Sequence, residues 1–294
     1  MTRTAWLSID FEDIAHDFKR EHGIAADGPL REDALWRAYA AIEGFLQRDL
    51  GGVRLTFFTT GVVAAKCPAI VARIAADGHE VACHYHFHDP AHGDPPAAFE
   101  ANLRRAIDAL EAASGRKVLG FRAPRFSLGP DDAEHFRALE RHVAYDSSLG
   151  VATAAELAAA RTRLGLARLA LFPVACVRVP GLPRPVRSGG SYLKLFPVSV
   201  TLAAMAAAAA GGLAPMVYLH PYEFVADRSF VVAMAEMQGL PRSRRLYWAL
   251  RQAQWHVVGN RGVTAKLRRI AEEWRLGGPM RGLLADAPKG SVPM

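Results

Sequence analysis

The chain has little of what would staple, thread or tether it. Among 294 residues there are three cysteines, Cys67, Cys83 and Cys176, widely spaced and with no CxxC pair. That argues against a disulfide framework and against a cysteine-rich zinc site, and leaves buried thiols in a reducing compartment as the simplest reading. No secretory leader is visible, because Asp10, Glu12 and Asp13 fall where its apolar core would have to lie. No uncharged apolar run reads as a membrane span: residues 198–216 come nearest and are broken by Gly211, Gly212 and Pro215. The expected location is therefore cytoplasmic. There is no compact Lys/Arg run with interleaved aromatics, so nucleic acid is not an expected partner. Linker-like stretches and internal repeats are also missing.

What is present is an ordinary globular composition, 51% hydrophobic and 22% charged, which argues against disorder. The length suits one α/β barrel. A net charge of +7 favours anionic partners such as phosphates, nucleotide-linked sugars or an acidic membrane surface. Strand-like segments at 4–10, 53–58, 80–83, 118–121, 143–146, 171–179 and 216–220 alternate with helical ones at 33–50, 68–76, 97–114, 131–141, 152–163 and 198–210. About seven such repeats predict a parallel α/β fold. A barrel over 1–228 and a basic, mostly helical extension over 229–294 are expected, with 285–294 loose.

The polar residues fall in a telling place. Asp10, His84, Arg122, Asp146 and His220 each stand at or just past the end of a predicted strand. In a parallel barrel those ends share one face, and that face carries the active site. In Asp10-Phe-Glu12-Asp13, acids two apart on an extended chain point the same way. Such a pair repels unless a cation lies between them or one is protonated, which suggests a metal plus a general base. Asp13 equally suits a helix N-cap. In His84-Tyr-His86-Phe-His88 the HxxxH spacing brings two imidazoles within reach of one ion if the chain turns after the strand. His86 alternates away, and Cys83 points to the opposite face. His79-Glu80-x-x-x-His84 has one residue too many for a metalloprotease HExxH helix.

Arg122 can hold a carboxylate in a forked hydrogen bond. Pro124 has no N–H, so Arg125 offers the next backbone donor for an oxyanion. His220, before Pro221, can give a proton to a leaving amine, and Arg187-Ser-Gly189-Gly190 is a basic loop able to contact a substrate anion. Each also has a plainer reading, as a surface arginine, a satisfied structural histidine or a turn.

Taken together, LSIDFED, TFFTTG, GHEVACHYHFH, GFRAPRFSL, YDSSL, SGGSYLKLFP and YLHPYEF, in this order over residues 4–225, resemble the NodB-homology polysaccharide deacetylases. These are the carbohydrate esterase family 4 group, and the likeness is to the branch whose first motif reads Asp-x-Glu-Asp. The resemblance implies a distorted (β/α)7 barrel and hydrolysis of an N-acetyl or N-formyl group on an amino sugar. It implies Asp10 as catalytic base, with Arg122 orienting it. Glu12, His84 and His88 would be the metal ligands, with Asp13 as the alternative acid. His220 would be the catalytic acid, and Asp146 the acid that tunes it. One divalent ion is implied, Zn2+ first, with Co2+, Ni2+, Mn2+ or Fe2+ as alternatives. The expected substrate is a nucleotide- or lipid-linked sugar of a surface polysaccharide or lipopolysaccharide, with peripheral membrane association compatible. The rivals are an inactive carbohydrate-binding barrel and an amidohydrolase of a small non-sugar amide. Three departures stand out: Glu12 where many relatives carry Asp, Arg125 where the branch commonly has Ser, and His86 in place of a non-ligating residue within the histidine motif.

Overall fold

A computed structural model describes residues 3–177 and 185–286. Positions 178–179 of the strand expected over 171–179, and 287–294 of the expected tail, lie outside the described residues. The strands are β1 (Thr4–Phe11), β2 (Thr56–Thr59), β3 (Glu80–Cys83), β4 (Gly120–Phe121), β5 (Tyr145–Asp146), β6 (Gly150–Val151), β7 (Ala170–Leu171), β8 (Val174–Val177), β9 (Val186–Arg187), β10 (Met216–Leu219) and β11 (Arg275–Leu276).

The main sheet runs β10-β1-β2-β3-β4-β5-β7, with every pairing parallel. It curls into a distorted seven-stranded half-barrel: the parallel order is what the alternating pattern predicts, and the distorted barrel is what the resemblance implies. The helices Glu32–Asp49, Pro68–Ala76, Pro96–Ser114 and Ala133–His142 follow in the crossovers. The expected strand over 171–179 is two strands. Ala170–Leu171 joins the main sheet, and after Pro173, which has no N–H for a ladder, Val174–Val177 crosses to a small sheet, β6-β8-β9.

Side-chain alternation sorts the strands into two layers. On β1, Ala5, Leu7, Ile9 and Phe11 belong to the large cluster under the helices, as do Phe57, Val81, Cys83 and Phe121. The other parity, Trp6, Phe58, Ala82, Tyr145 and Met216, fills the barrel interior. Ser8 and Asp10 continue the inward parity of Trp6, His84 that of Ala82, and His220 that of Met216. The strand period thus aims these polar groups at the barrel mouth.

The chain from β11 onward closes the opposite end. The helix Val263–Glu273 packs Val263, Leu267 and Ile270 on the core. β11 pairs with the start of β1, Thr4 opposite Arg275 and Ala5 opposite Leu276. Beyond it the Met280 N–H donates to Thr56 Oγ1 (2.7 Å) and the Arg281 N–H to Glu80 Oε2 (3.0 Å), at the first residues of β2 and β3. No described helix is long and apolar enough to cross a membrane.

Candidate metal centre and catalytic rim

The ligand atoms of Glu12, His84 and His88 all lie within 4.8 Å of one another. Glu12 Oε2 is 2.8 Å from His88 Nε2 and 3.3 Å from His84 Nε2. His84 Nδ1 is 2.7 Å from the Arg122 carbonyl, which can only accept, so Nδ1 donates there and the ring is oriented with Nε2 toward Glu12. The turn that brings the two histidines together is Tyr85, held at φ +66°. A non-glycine residue in that region costs on the order of 1 kcal/mol or more. Stacking of its ring on Phe99, and a 2.6 Å hydrogen bond from its hydroxyl to Asp94, hold it there. Gly61 is required nearby, because a Cβ there would meet His86 Nδ1 at 2.6 Å and the Ala106 backbone at 2.7 Å.

Burial opposes charge on Glu12, but His88 and His84 outweigh it and hold the carboxyl well below its usual range. Burial likewise opposes charge on His88, where Glu12 wins and lifts the imidazole to about 9. Two nitrogens and a carboxylate oxygen, with Glu12 and His84 buried and His88 half-buried, form a donor set suited to Zn2+ and other first-row divalent ions.

Asp13 stands apart from this cluster. Its carboxylate accepts from the N–H groups of Ala15 (3.0 Å), His16 (3.3 Å) and Arg31 (2.5 Å), capping the helix Ile14–Glu21. With both oxygens taken up by backbone donors, the capping reading prevails over the alternative-ligand reading. His86 is also apart, packed edge-on to Phe87 and pushed down to about 4 by burial. Cys83 is buried among the helices, and burial pushes its thiol up to about 12. His79 bonds Glu43 (2.8 Å) and the Leu55 N–H (3.0 Å), and Glu80 opens β3, so both sit away from the mouth.

Beside the cluster, Asp10 Oδ1 accepts from Arg122 Nη1 at 2.6 Å. The fully buried guanidinium also donates to Ser8 Oγ (2.8 Å) and Ser147 Oγ (2.9 Å) and lies 4.0 Å over the Phe58 ring. His220, on the other flank, is next to Asp10 across the β1–β10 ladder, whose register pairs Ile9 with Leu219.

Asp146 is not the acid beside His220. Tyr145 points inward, so Asp146 takes the outward parity of its partner Phe121. There it accepts from the Ser148 N–H (2.8 Å) and hydroxyl (2.6 Å), and burial raises it to about 7. The acid beside His220 is Glu223, which sequence reasoning missed. Its Oε2 is 3.4 Å from His220 Nδ1 and accepts the His220 N–H at 2.8 Å. Burial lowers the imidazole pKa, but Glu223 outweighs this, so the net shift is upward. Behind it, Lys194 Nζ is 3.9 Å from Glu223 Oε1. The signal was local: His220-x-x-Glu223 is one short helical turn.

A cavity of about 420 Å³ opens beside these groups and reaches three of them, Glu12, His88 and His220. Phe18, Tyr222, Trp248 and Trp255 supply an aromatic wall. Asp17, raised by burial to about 6, and Glu21 line it too. These lining groups had no signature in the sequence beyond the amphipathic pattern of 14–21. Arg125 is at the rim, with φ +56° and its guanidinium 2.5 Å from Glu21 Oε2. Arg187 is elsewhere: it faces a neighbouring groove with Phe126 and Val151, its guanidinium 4.7 Å over the Phe126 ring.

Residues 33–140 match the sequence profile of the family described as polysaccharide deacetylase. Over that stretch, which is well under half of the chain, the protein is similar to the polysaccharide deacetylases. The deacetylase match holds His84, His88 and Arg122, while β1 and β10 supply Asp10, Glu12 and His220 from outside it. Residues 146–260 match a second profile, described as a domain of unknown function, DUF3473. Comparison with curated proteins found no match. Among solved structures, a Mycobacterium smegmatis protein assigned as a polysaccharide deacetylase is similar at 19% identity and TM-score 0.50, over 94% of this chain and 93% of that one. A CE4 family pseudoenzyme from Bacillus anthracis is similar at 13% identity and TM-score 0.50, over 96% of this chain and 66% of that one. At these identities both show the fold.

Proposed function

We propose that this protein is a polysaccharide-deacetylase-like, metal-dependent hydrolase that removes an N-acetyl or N-formyl group from an amino sugar. The observation that carries this reading is the convergence, at one end of the barrel, of a His-His-Glu donor set, a carboxylate–arginine pair and a carboxylate-backed histidine, beside a cavity that Glu12, His88 and His220 line. Glu12, His84 and His88 would hold the ion, most simply Zn2+. A divalent cation there would supply Lewis-acid activation of water and of the acyl oxygen.

This chain's own groups do the rest. Asp10, oriented by Arg122 through Nη1, takes the proton of the attacking water on its carboxylate. His220 Nδ1 faces Glu223, which leaves Nε2 to deliver a proton to the departing sugar amine. The Arg125 N–H, in its left-handed turn at the rim, is the proposed oxyanion donor. Trp248, Trp255 and Tyr222 offer the faces on which a sugar ring stacks and from which water is excluded. We further place the substrate among nucleotide- or lipid-linked precursors of surface polysaccharides, made in the reducing interior that the free thiols Cys67, Cys83 and Cys176 suit.

A barrel that only binds sugar is the rival that a pseudoenzyme neighbour keeps in view. The paired Asp10–Arg122 and His220–Glu223 favour turnover, since binding alone needs neither proton relay. The test is metal analysis of the purified protein and of a His84→Ala/His88→Ala variant, followed by incubation of both with a panel of N-acetyl and N-formyl sugars and small amides. One ion per chain, lost in the variant, and free amine from a sugar in the parent alone are expected. A fully loaded protein that releases amine from no sugar overturns the reading.

A further inference from the structure

The helix Arg242–His256 has two faces, and the proposed chemistry uses one of them. Trp248, Gln252 and Trp255 point inward and line the cavity. On the other side Leu246, Tyr247 and Leu250 are 55%, 55% and 67% exposed. At helical spacing these three form one contiguous apolar stripe. Arg242 borders it on one edge, and Arg244 and Arg251 on the other. The helix sequence, RSRRLYWALRQAQWH, carries four arginines and no acid. Arg242 and Arg244 make no ion pair among the described residues.

An apolar stripe with a purely cationic border is the pattern of a helix that lies in a bilayer interface, with its apolar side chains among acyl chains and its arginines on anionic headgroups. A second copy of this face would set cation against cation, because the helix carries no acid, whereas anionic headgroups complement it. We propose that this face docks the protein onto an anionic lipid bilayer. The same helix walls the cavity, and Arg244 is near enough to help lower the pKa of His22, which lines it. Docking therefore holds the cavity wall within about one helix diameter, roughly 10 Å, of the bilayer surface. The inference goes beyond the hydrolase reading, because bilayer binding requires neither metal nor turnover.

The experiment is co-sedimentation of the full chain with large vesicles of pure phosphatidylcholine, or of phosphatidylcholine with one-third phosphatidylglycerol, at low and high salt. Binding to the anionic vesicles, weakened by salt, is expected, with little on the neutral ones. Leu246→Glu/Leu250→Glu should lower the anionic-vesicle partition coefficient by about tenfold or more while leaving the melting temperature unchanged. Arg242→Gln/Arg244→Gln should remove most of the salt-sensitive component. A chain that stays in the supernatant with both vesicles at low salt overturns the proposal. So does undiminished binding of the leucine variant. A concentration-dependent dimer that the leucine variant abolishes, without vesicle binding, would make this face a protein interface and equally overturn it.

Discussion

At the scale of single residues, the rim is a set of acids and bases whose roles follow from their neighbours. Glu223 is the clearest case. Buried behind His220, it raises an imidazole that burial alone would lower. The acid form of His220 thus survives to higher pH, where the leaving amine still needs its proton. Glu223→Gln keeps the shape and removes the charge, so burial prevails and the imidazole loses its proton at lower pH. The expected result is an alkaline limb of the pH–rate profile moved to lower pH, and a rate above neutrality reduced by about ten- to a hundredfold. An unshifted limb would show that Glu223 does not act through His220. Asp146→Asn should leave that limb in place, because the Asp146 carboxylate is turned to Ser148. That distinction was invisible in the sequence. YDSSL and YLHPYEF each offer an acid near a strand end, and only the inward parity of Tyr145 shows that Asp146 faces away.

At the scale of elements, much was legible, because strand and helix periods are local. The segments 68–76, 80–83 and 198–210 fall on their observed bounds. Asp10, Glu12, His84, Arg122 and His220 gather on one rim because each continues or ends an inward-pointing strand. What stayed hidden depends on contacts far along the chain. The helix Ile14–Glu21 escaped notice because the acids before it read as a strand end, although Asp13 carries the cap signal. That cap now separates the two candidate acids. Asp13→Ala removes an acceptor of three backbone N–H groups, which should cost about 1–2 kcal/mol and lower the melting temperature by a few degrees. Bound metal should persist, since Glu12 remains. Glu12→Ala should do the reverse, losing the ion while the helix stays capped. Metal content and thermal melts of the two variants read both effects. Loss of the ion in Asp13→Ala with its retention in Glu12→Ala would reassign the ligand.

At the scale of the whole molecule, the two ends of the barrel are joined through its interior. The closing segment Met280–Asp286 sits under β2 and β3, and Met280 enters the barrel core with Phe58, Ala82 and Tyr145. Its sulfur is 4.0 Å from Arg122 Nη2, the same guanidinium that holds Asp10. The arginine is thus clamped from above by carboxylate and hydroxyls, and from below by the C-terminal extension. A buried cation with exacting partners does not tolerate a soft floor, since any tilt that relieves packing stretches the 2.6 Å bond to Asp10. Met280→Ala should therefore do two things at once. The cavity should cost about 2–5 kcal/mol of stability. At a temperature where the variant is still fully folded, kcat should fall while the substrate KM holds, because the aromatic wall at the mouth is untouched. Refilling the space with Met280→Leu should restore most of both. If the alanine variant loses stability yet turns over at the parent rate, the C-terminal segment is a plug and nothing more, and the orientation of Asp10 depends on the rim alone.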